Sequence, residues 1–225
     1  MTQRLRWAEH RIQYQFQDPK LLTQALTHRS ASKDNNERLE FLGDAFLNFV
    51  AARELFQQHP SDQEGDLSRL RAALVKGVTL AELGRSIEIS SQIILGPGEH
   101  STGGAGRDSI LANAVEAVIG AVFLDGGYEA ASSCVTRLLA DRLENLPDAE
   151  ALKDPKTRLQ ELLQGQGLGL PDYRVDSVSG SPHQQEFIVI CEVTEVSSNI
   201  KGYGRSRRRA EQDAAEKTLS VLDGA

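Results

Sequence analysis

The chain has 225 residues, a length that suits two modest domains better than one large domain. With 40% hydrophobic and 25% charged residues, its composition is that of an ordinary folded protein and not of a disordered or membrane-embedded one. No apolar run approaches the ~18 residues that a membrane span needs, and the N-terminus lacks the apolar core of a secretory signal. Cys134 and Cys191 form no metal-spaced pair, so we expect a reducing, cytoplasmic location and no membrane partner.

The net charge of −7 argues at first against a nucleic-acid partner, because affinity for phosphates comes largely from Lys and Arg. The charge is unevenly distributed, however. Residues 153–225 hold 10 Lys and Arg against 11 Asp and Glu, a net charge of −1, so residues 1–152 carry the remaining −6. A basic run from Lys201 to Arg209 contains no acidic residue. The C-terminal part therefore offers a local positive site on a nearly neutral background.

The hydrophobic pattern predicts an all-α domain at residues 1–146, followed by a linker at 147–154. The surrounding segment 145–155 carries two prolines and several charges and has no periodic pattern. Residues 155–225 predict a small α+β domain of order α-β-β-β-α. Its predicted elements are a helix at Thr157–Leu163, strands at Tyr173–Val178, Gln185–Thr194 and Ser198–Gly202, and a helix at about Arg207–Leu222. The middle strand is expected to bury alternate residues, from Phe187 to Val193, on one face.

A predicted helix at residues 36–47 combines three acids with an apolar circumference. Glu37, Glu40 and Asp44 lie at i, i+3 and i+7 and therefore share a face. Because apolar residues occupy much of the same helix, we expect these acids to be partly buried. Uncompensated carboxylates would be costly there, and a metal ion is one of the few partners that can compensate several of them together.

A second helix, predicted at residues 109–125, is almost entirely apolar apart from Asn113 and Glu116, again at i and i+3. Oxygen ligands without His or Cys suit a hard cation such as Mg²⁺ or Mn²⁺ and not zinc. Two helices that present such groups to each other can hold a two-metal site for phosphodiester cleavage. Acids at this spacing also occur on solvated faces and in salt bridges, so the residues by themselves leave both interpretations open.

Four blocks of the sequence resemble the ribonuclease III family in matching order. NERLEFLGDAFL (36–47) resembles the signature motif of that family, and its companions are TQALTHRS (23–30), EGDLSRLRAALV (64–75) and ILANAVEAVIGAVFLDGG (110–127). The resemblance covers essentially the whole chain, and a twelve-residue motif with ordered companions is far more specific than a short pattern. It implies a hydrolase, an endonuclease of double-stranded RNA, that uses Mg²⁺ with Mn²⁺ as a possible substitute.

The resemblance places metal ligands at Glu40, Asp44, Asn113 and Glu116, of which Asp44 and Glu116 are catalytic. Family members usually have Asp where this sequence has Asn113. Four carboxylates would balance the charge of two Mg²⁺ ions, whereas here three of the four residues are acids. An amide oxygen can ligate but brings no formal charge, so we expect weaker occupancy of one metal and slower cleavage. The competing hypothesis is a double-stranded-RNA-binding protein that has lost cleavage through Asn113.

Five further residues of the first domain have alternative roles. Glu37 and Glu64 resemble auxiliary acids near the family's catalytic valley, with surface or dimer contacts as the alternative. His28 and Arg29 could act as a general base and a phosphate clamp, but we favour helix-end packing or structural hydrogen bonding, because metal alone can activate water. Phe41 resembles the residue that family members insert into the partner subunit, and a place in the core of one subunit is its alternative.

The C-terminal domain resembles a double-stranded-RNA-binding domain, whose RNA-contacting parts fall on the first helix, on the loop before the second strand and on the start of the last helix. This arrangement suits A-form RNA, in which two shallow minor grooves flank a deep major groove over ~16 base pairs. The predicted contacts are Thr157, Gln160, Glu161, Gln164, His183, Arg205, Ser206, Arg207, Arg208 and Arg209. Polar side chains would meet 2′-hydroxyls and the arginines would meet phosphates, so we expect weak sequence preference.

Taken together, the resemblance implies a cytoplasmic homodimer in which two catalytic domains form one valley and each cuts one strand. The products would carry 5′-phosphate and 3′-hydroxyl ends, and the substrates would include ribosomal RNA precursors and other structured transcripts, messenger and transfer RNA among them. A weaker alternative is a metal-dependent hydrolase of small phosphorylated substrates with an accessory RNA module. The ordered RNA contacts of the C-terminal domain count against it.

Overall fold

The computed structural model describes residues 2–181, 184–194 and 199–223. The chain forms two compact units, Met1–Leu152 and Lys153–Ala225. Leu146, Ala149 and Leu152 pack against the hydrophobic core of the first unit. Most of the segment that we predicted as a linker, up to Leu152, therefore belongs to the first unit, because its apolar side chains are covered there.

Among its described residues, the first unit consists of helices and connecting segments, with one isolated bridge between Thr27 and Ile94. A π-helical turn (Ala8–Ile12) follows the first helix, and two 3₁₀ turns (Ile89–Ser91 and Gly104–Gly106) lie between later helices. The α-helices are α1 (Gln3–Trp7), α2 (Pro19–Ala25), α3 (Glu37–Gln58), α4 (Glu64–Val75), α5 (Gly77–Ser86), α6 (Pro97–Ser101) and α7 (Asp108–Glu144). The all-α prediction for this domain is confirmed.

Helix α7 is the central element of this unit. By length and composition it is the one helix among the described residues that could cross a membrane, although the sequence analysis found no such run. Most of its apolar side chains are buried inside the unit, as expected for the core helix of a folded domain. The helix bends at Gly127, whose φ of +75° is one that side-chain-bearing residues rarely adopt.

Asp125, just before this bend, fastens the N-terminal segment to α7. Its carboxylate accepts hydrogen bonds from the Tyr14 hydroxyl at 2.7 Å and from the backbone N–H groups of Gln17 and Asp18 at 2.8 Å each. Burial raises the pKa of Asp125, but these donors lower it further, so the pKa lies below its ordinary value. The ionised carboxylate beside the bend therefore holds residues 14–18 against α7.

The second unit has the predicted order α-β-β-β-α, which is confirmed. Its three strands form one antiparallel sheet in the order β1-β2-β3. The elements are α8 (Pro155–Gly165), β1 (Asp172–Ser179), β2 (Glu186–Glu192), β3 (Ile200–Gly204) and α9 (Arg207–Asp223). Strand β3 extends two residues further than predicted, and Ser198, its predicted start, lies outside the described residues.

The simple alternation predicted for the middle strand is wrong at Ile190. Val189 and Cys191 are buried as expected, but Ile190 between them is also buried, at 4% exposure. Its cross-strand partners are Arg174 and Lys201. Directly opposed side chains lie close together, and the aliphatic stems of Arg and Lys cover apolar neighbours while their charged ends stay in water. The outer face of the sheet is therefore partly apolar beneath a charged surface.

Candidate active site and RNA-binding surface

Helices α3 and α7 cross in direct backbone contact. A Cβ atom on Gly43 would overlap the backbone oxygen of Glu116, and a Cβ on Gly120 would overlap the backbone oxygen of Leu39. Overlap of this kind cannot be relieved by turning a side chain, so both positions require glycine. The contact brings the acids of α3 next to those of α7. Sequence reasoning did not single out either glycine, although each is a glycine inside a long apolar helix.

Glu116 of α7 lies close enough to the acids of α3 for their charges to affect its pKa. Burial, followed by the charges of Asp44 and Glu40, raises the pKa of Glu116 to about 7. Burial and the charge of Glu37 raise the pKa of Glu40, against a smaller opposite effect of a hydrogen bond from Asn113. The structure thus brings together the four predicted ligands.

The expected partial burial of the acids holds for some of them only. Glu40 and Glu116 are half-buried, as is Asn113, whereas Glu37 and Asp44 are exposed. Asp44 accepts a hydrogen bond from the side-chain amide of Asn48 at 2.8 Å. The prediction was wrong for the two exposed acids because the apolar side chains of α3 pack elsewhere around the helix and leave this edge open to solvent.

These residues suit a hard divalent cation by their chemistry. All of them offer oxygen, and burial together with neighbouring acids raises the pKa values of Glu40 and Glu116, an effect that a bound cation would oppose. In the described part of the chain, no three His, Cys, Asp or Glu side chains are already arranged to hold a metal ion. The side chains would therefore have to turn toward an ion, which the fixed backbones of α3 and α7 permit.

A pocket of about 300 Å³ adjoins the acids and is lined by His28, Arg29 and Glu37 as well as by Glu40 and Asn113. Nδ1 of His28 accepts a hydrogen bond from the backbone N–H of Ser30 at 3.2 Å and lies 2.8 Å from the Ser30 hydroxyl, in agreement with structural hydrogen bonding. Helix-end packing is wrong for the side chain of Arg29, which is 71% exposed and forms a loose pair with Glu37 at 3.6 Å.

Phe41 and Glu64 lie apart from the acid contacts described above. Phe41 is 80% exposed, so the alternative of a core position within one subunit is wrong. Glu64 begins α4 and accepts a hydrogen bond from the hydroxyl of Ser68 at 2.7 Å. It neither lines the pocket nor affects the pKa of Glu40 or Glu116, so its auxiliary role remains a prediction.

In the second unit, the predicted RNA contacts of α8 are distributed along that helix, from Thr157 to Gln164. Asp154 caps it, because its carboxylate accepts hydrogen bonds from the backbone of Lys156 and Thr157 and from the Thr157 hydroxyl. Glu161 forms an ion pair with Lys153 at 2.5 Å. Gln160 and Gln164 are exposed. His183, predicted for the following loop, lies outside the described residues.

The basic run forms the exposed start of α9. Ser206 accepts a hydrogen bond from the backbone N–H of Arg209 at 3.3 Å and so caps the helix. The four arginines of the basic run are all exposed: Arg205, Arg207, Arg208 and Arg209. Gly202 of β3 fits closely against the backbone of α9, where a Cβ would overlap the oxygen of Ala210. The sheet therefore fixes the position of the basic helix start.

Comparison with known proteins identifies the family of each unit. The model of the family "Ribonuclease-III-like" matches residues 18–143, and that of the "Double-stranded RNA binding motif" matches residues 155–222. The chain belongs to the ribonuclease III family. It is an endoribonuclease of double-stranded RNA and, like this family in general, metal-dependent.

Relatives named Ribonuclease 3 match this family member along almost its whole length. The protein of Nitrosococcus oceani is 56% identical over 99% of this chain and 96% of its own length. That of Vibrio cholerae is 51% identical over 99% of both chains. The crystal structure of the nuclease domain of ribonuclease III from Campylobacter jejuni is 42% identical, with a TM-score of 0.60 over 63% of this chain and 97% of that domain.

Proposed function

We propose that this ribonuclease III family member hydrolyses the phosphodiester bonds of double-stranded RNA at the α3–α7 site with two divalent ions, Mg²⁺ or in its place Mn²⁺. The observation that carries the proposal is the glycine-mediated contact of α3 and α7, which gathers three acids and one amide. Glu40, Asp44, Asn113 and Glu116 would hold the ions. Divalent ions at such a site supply Lewis-acid activation of water and neutralise charge on the phosphate.

The roles of the chain's own residues follow from their surroundings. Asp44 is exposed and hydrogen-bonded to Asn48, so it faces solvent from which substrate arrives. Glu116 is the more buried acid, and burial together with the charges of Asp44 and Glu40 raises its pKa and disfavours its ionisation. Exposed Arg29 at the neighbouring pocket provides a guanidinium for a phosphate of the same strand.

A second candidate function is binding of double-stranded RNA without efficient cleavage. The observation that favours it is that the side-chain amide of Asn113 opposes the rise in the pKa of Glu40. An amide N–H that donates to a carboxylate weakens that carboxylate as a ligand, and the amide brings no charge of its own. The two candidate functions therefore differ in the rate of cleavage, which ranges from slow at ordinary Mg²⁺ concentration to none.

A homodimer is part of the proposal. Phe41, Phe49 and Phe56 on α3 are large exposed hydrophobic residues. Such residues in a patch are typical of protein–protein interfaces. A Campylobacter jejuni nuclease-domain structure, 43% identical over 61% of this chain with a TM-score of 0.59, is described as having a region involved in dimer formation. In a dimer each protomer would cut one strand, giving 5′-phosphate and 3′-hydroxyl ends, in cytoplasmic processing of ribosomal, messenger and transfer RNA precursors.

The proposal is tested by incubating long, end-labelled duplex RNA with the full chain in Mg²⁺, in Mn²⁺ and in EDTA. We expect short products on a denaturing gel with either ion and none in EDTA. Phosphatase and ligase treatment should identify 5′-phosphate ends, and light scattering should give the mass of two chains. Binding of the duplex without cleavage in either ion would establish the second candidate function instead.

A further inference from the structure

Glu211, on the first turns of α9, contacts both helices that carry the predicted RNA contacts. Its Oε2 lies 2.6 Å from Nζ of Lys156 on α8, and its Oε1 accepts a hydrogen bond from Nε of Arg207 at 2.8 Å. The side chain of Glu211 is 12% exposed, whereas that of Arg207 is 63% exposed. One partly buried carboxylate therefore joins the starts of α8 and α9.

The surroundings of this junction favour a fixed geometry. The ammonium of Lys156 also lies 4.2 Å from the ring centroid of Tyr173, so it is held from two sides. Burial raises the pKa of Glu211, but its bonds to Lys156 and Arg207 lower it further, and the carboxylate stays ionised. Ion pairs that are partly shielded from water and bonded at both oxygens are more rigid than exposed single pairs.

We propose that Glu211 is a positioning residue for duplex recognition, which holds the RNA-contacting starts of α8 and α9 at the spacing that A-form RNA requires. The inference rests on the proposed binding of duplex RNA by the second unit. Recognition of an RNA duplex is recognition of shape, because the contacts must reach a minor groove and the adjacent major-groove phosphates together. Thr157 and Gln160 follow Lys156 on α8, and Arg208 and Arg209 follow Arg207 on α9.

Simple electrostatics predicts the opposite effect of this residue. An acid beside a phosphate-binding surface repels RNA, so its neutralisation should strengthen binding to every nucleic acid. A positioning role predicts that neutralisation weakens binding to duplex RNA and leaves binding to other nucleic acids unchanged or slightly stronger. The sign of the change therefore separates the two.

The experiment measures affinity of the full chain, in EDTA to prevent cleavage, for three labelled ligands of roughly 20 residues or base pairs, enough for the ~16 base pairs that such a domain spans. These are duplex RNA, single-stranded RNA and duplex DNA. We expect Glu211→Gln to lower the affinity for duplex RNA roughly three- to tenfold, the effect of one lost hydrogen bond of ordinary strength, and for the other two ligands by less than twofold or not at all. Glu216→Gln, at an exposed position of α9, is the matched control and should not lower any affinity.

A second variant of Glu211 keeps the negative charge and shortens the side chain. Glu211→Asp shortens the side chain by one methylene group, so it can hold one partner but not both, and we expect an intermediate loss of duplex affinity. Thermal unfolding checks that each variant is folded. Three results would overturn the inference: Glu211→Gln behaving like Glu216→Gln, Glu211→Asp binding like the wild type, or a uniform loss for all three ligands with a lower melting temperature. Wild-type protein without preference for duplex RNA would contradict the proposed function itself.

Discussion

The acidic cluster between α3 and α7 and the basic start of α9 both concentrate charge of one sign, but they deal with repulsion differently. In the acidic cluster, burial and neighbouring acids raise the pKa of Glu116 and of Glu40. On the basic surface, Glu211 lies between Lys156 and Arg207, and its own pKa is lowered. One site leaves its charge to be balanced by a ligand, whereas the other balances part of its charge within the protein. The first should therefore depend far more strongly on what binds to it.

The largest expected effect is that of Glu116→Gln, which removes charge from the unbalanced site. We expect cleavage of duplex RNA to slow about a thousandfold or more, because loss of ion-supported charge stabilisation amounts to several kcal/mol. Duplex affinity in EDTA should stay nearly the same, since the second unit carries it. Gel assays and binding titrations provide the two measurements, and Glu129→Gln, at an exposed position of α7, is the control. Parallel loss of binding and cleavage would contradict this division of labour.

Gly43→Ala breaks the same site without changing any charge. The added Cβ would overlap the Glu116 backbone, and overpacking of this kind costs about 3 kcal/mol of unfolding free energy. Thermal or denaturant unfolding should show the loss in the first unit. Gly77→Ala is the matched control, because nothing lies within 4 Å of a Cβ at that position. A Gly43→Ala protein as stable as the control would mean that the two helices are farther apart than described.

On the basic surface, we expect a smaller change when Arg207, Arg208 and Arg209 are all replaced by Ala. Duplex affinity should fall about ten- to a hundredfold, and the log–log salt slope should shrink by about 0.9 per lost phosphate contact. Because Glu211 already engages Arg207, we expect the decrease in slope to be closer to two contacts than to three. Arg174→Ala, which removes an exposed arginine paired with Glu192, is the control. An unchanged slope would place the phosphate contacts elsewhere.

The smallest expected effect, and the one most specific to this chain, is that of Asn113→Asp. The added carboxylate should raise cleavage several-fold at low Mg²⁺, and the gain should shrink as Mg²⁺ saturates the weaker site by mass action. Without metal, the variant has one more carboxylate beside Glu40, and the repulsion between the two charges should lower its melting temperature. Added Mg²⁺ should raise that melting temperature more than it does in the wild type. A gain in cleavage that persists at saturation would point to positioning of water, and no gain at any concentration would exclude Asn113 from the metal site.

The contrast between the two sites also explains how much could be predicted from the sequence. Helical spacing placed Glu37, Glu40 and Asp44 on one helix and Asn113 and Glu116 on another, because periodicity reports which residues share a face. The resemblance to the family then selected four of these five residues as metal ligands. Periodicity does not report the distance between helices. The glycines at 43 and 120 were the available signal, since an unexplained glycine inside an apolar helix indicates a close approach.

In the second unit the order of elements was predictable from the sequence, but the ion pair that joins α8 to α9 was not. Arg207 and Glu211 lie four residues apart on one helix, a spacing at which ion pairs are expected. Lys156 is separated from Glu211 by 55 residues, and no local pattern connects them. The burial of Ile190 was missed for a similar reason, because its cover comes from side chains on two neighbouring strands.

The backbone contact at Gly43 and Gly120 separates the geometry of the candidate site from its charge. Asn and Asp have nearly the same size and shape. A change between them at residue 113 therefore alters the negative charge of the site without disturbing the packing of α7. A side chain at either glycine would instead change every distance between the two helices at once. The two glycines thus fix the distance between the helices, whereas residues at the proposed ligand positions can be substituted without changing it. In the proposed metal site, we expect substitutions at the ligand positions to change the preference for one ion over another, provided that the two glycines are kept.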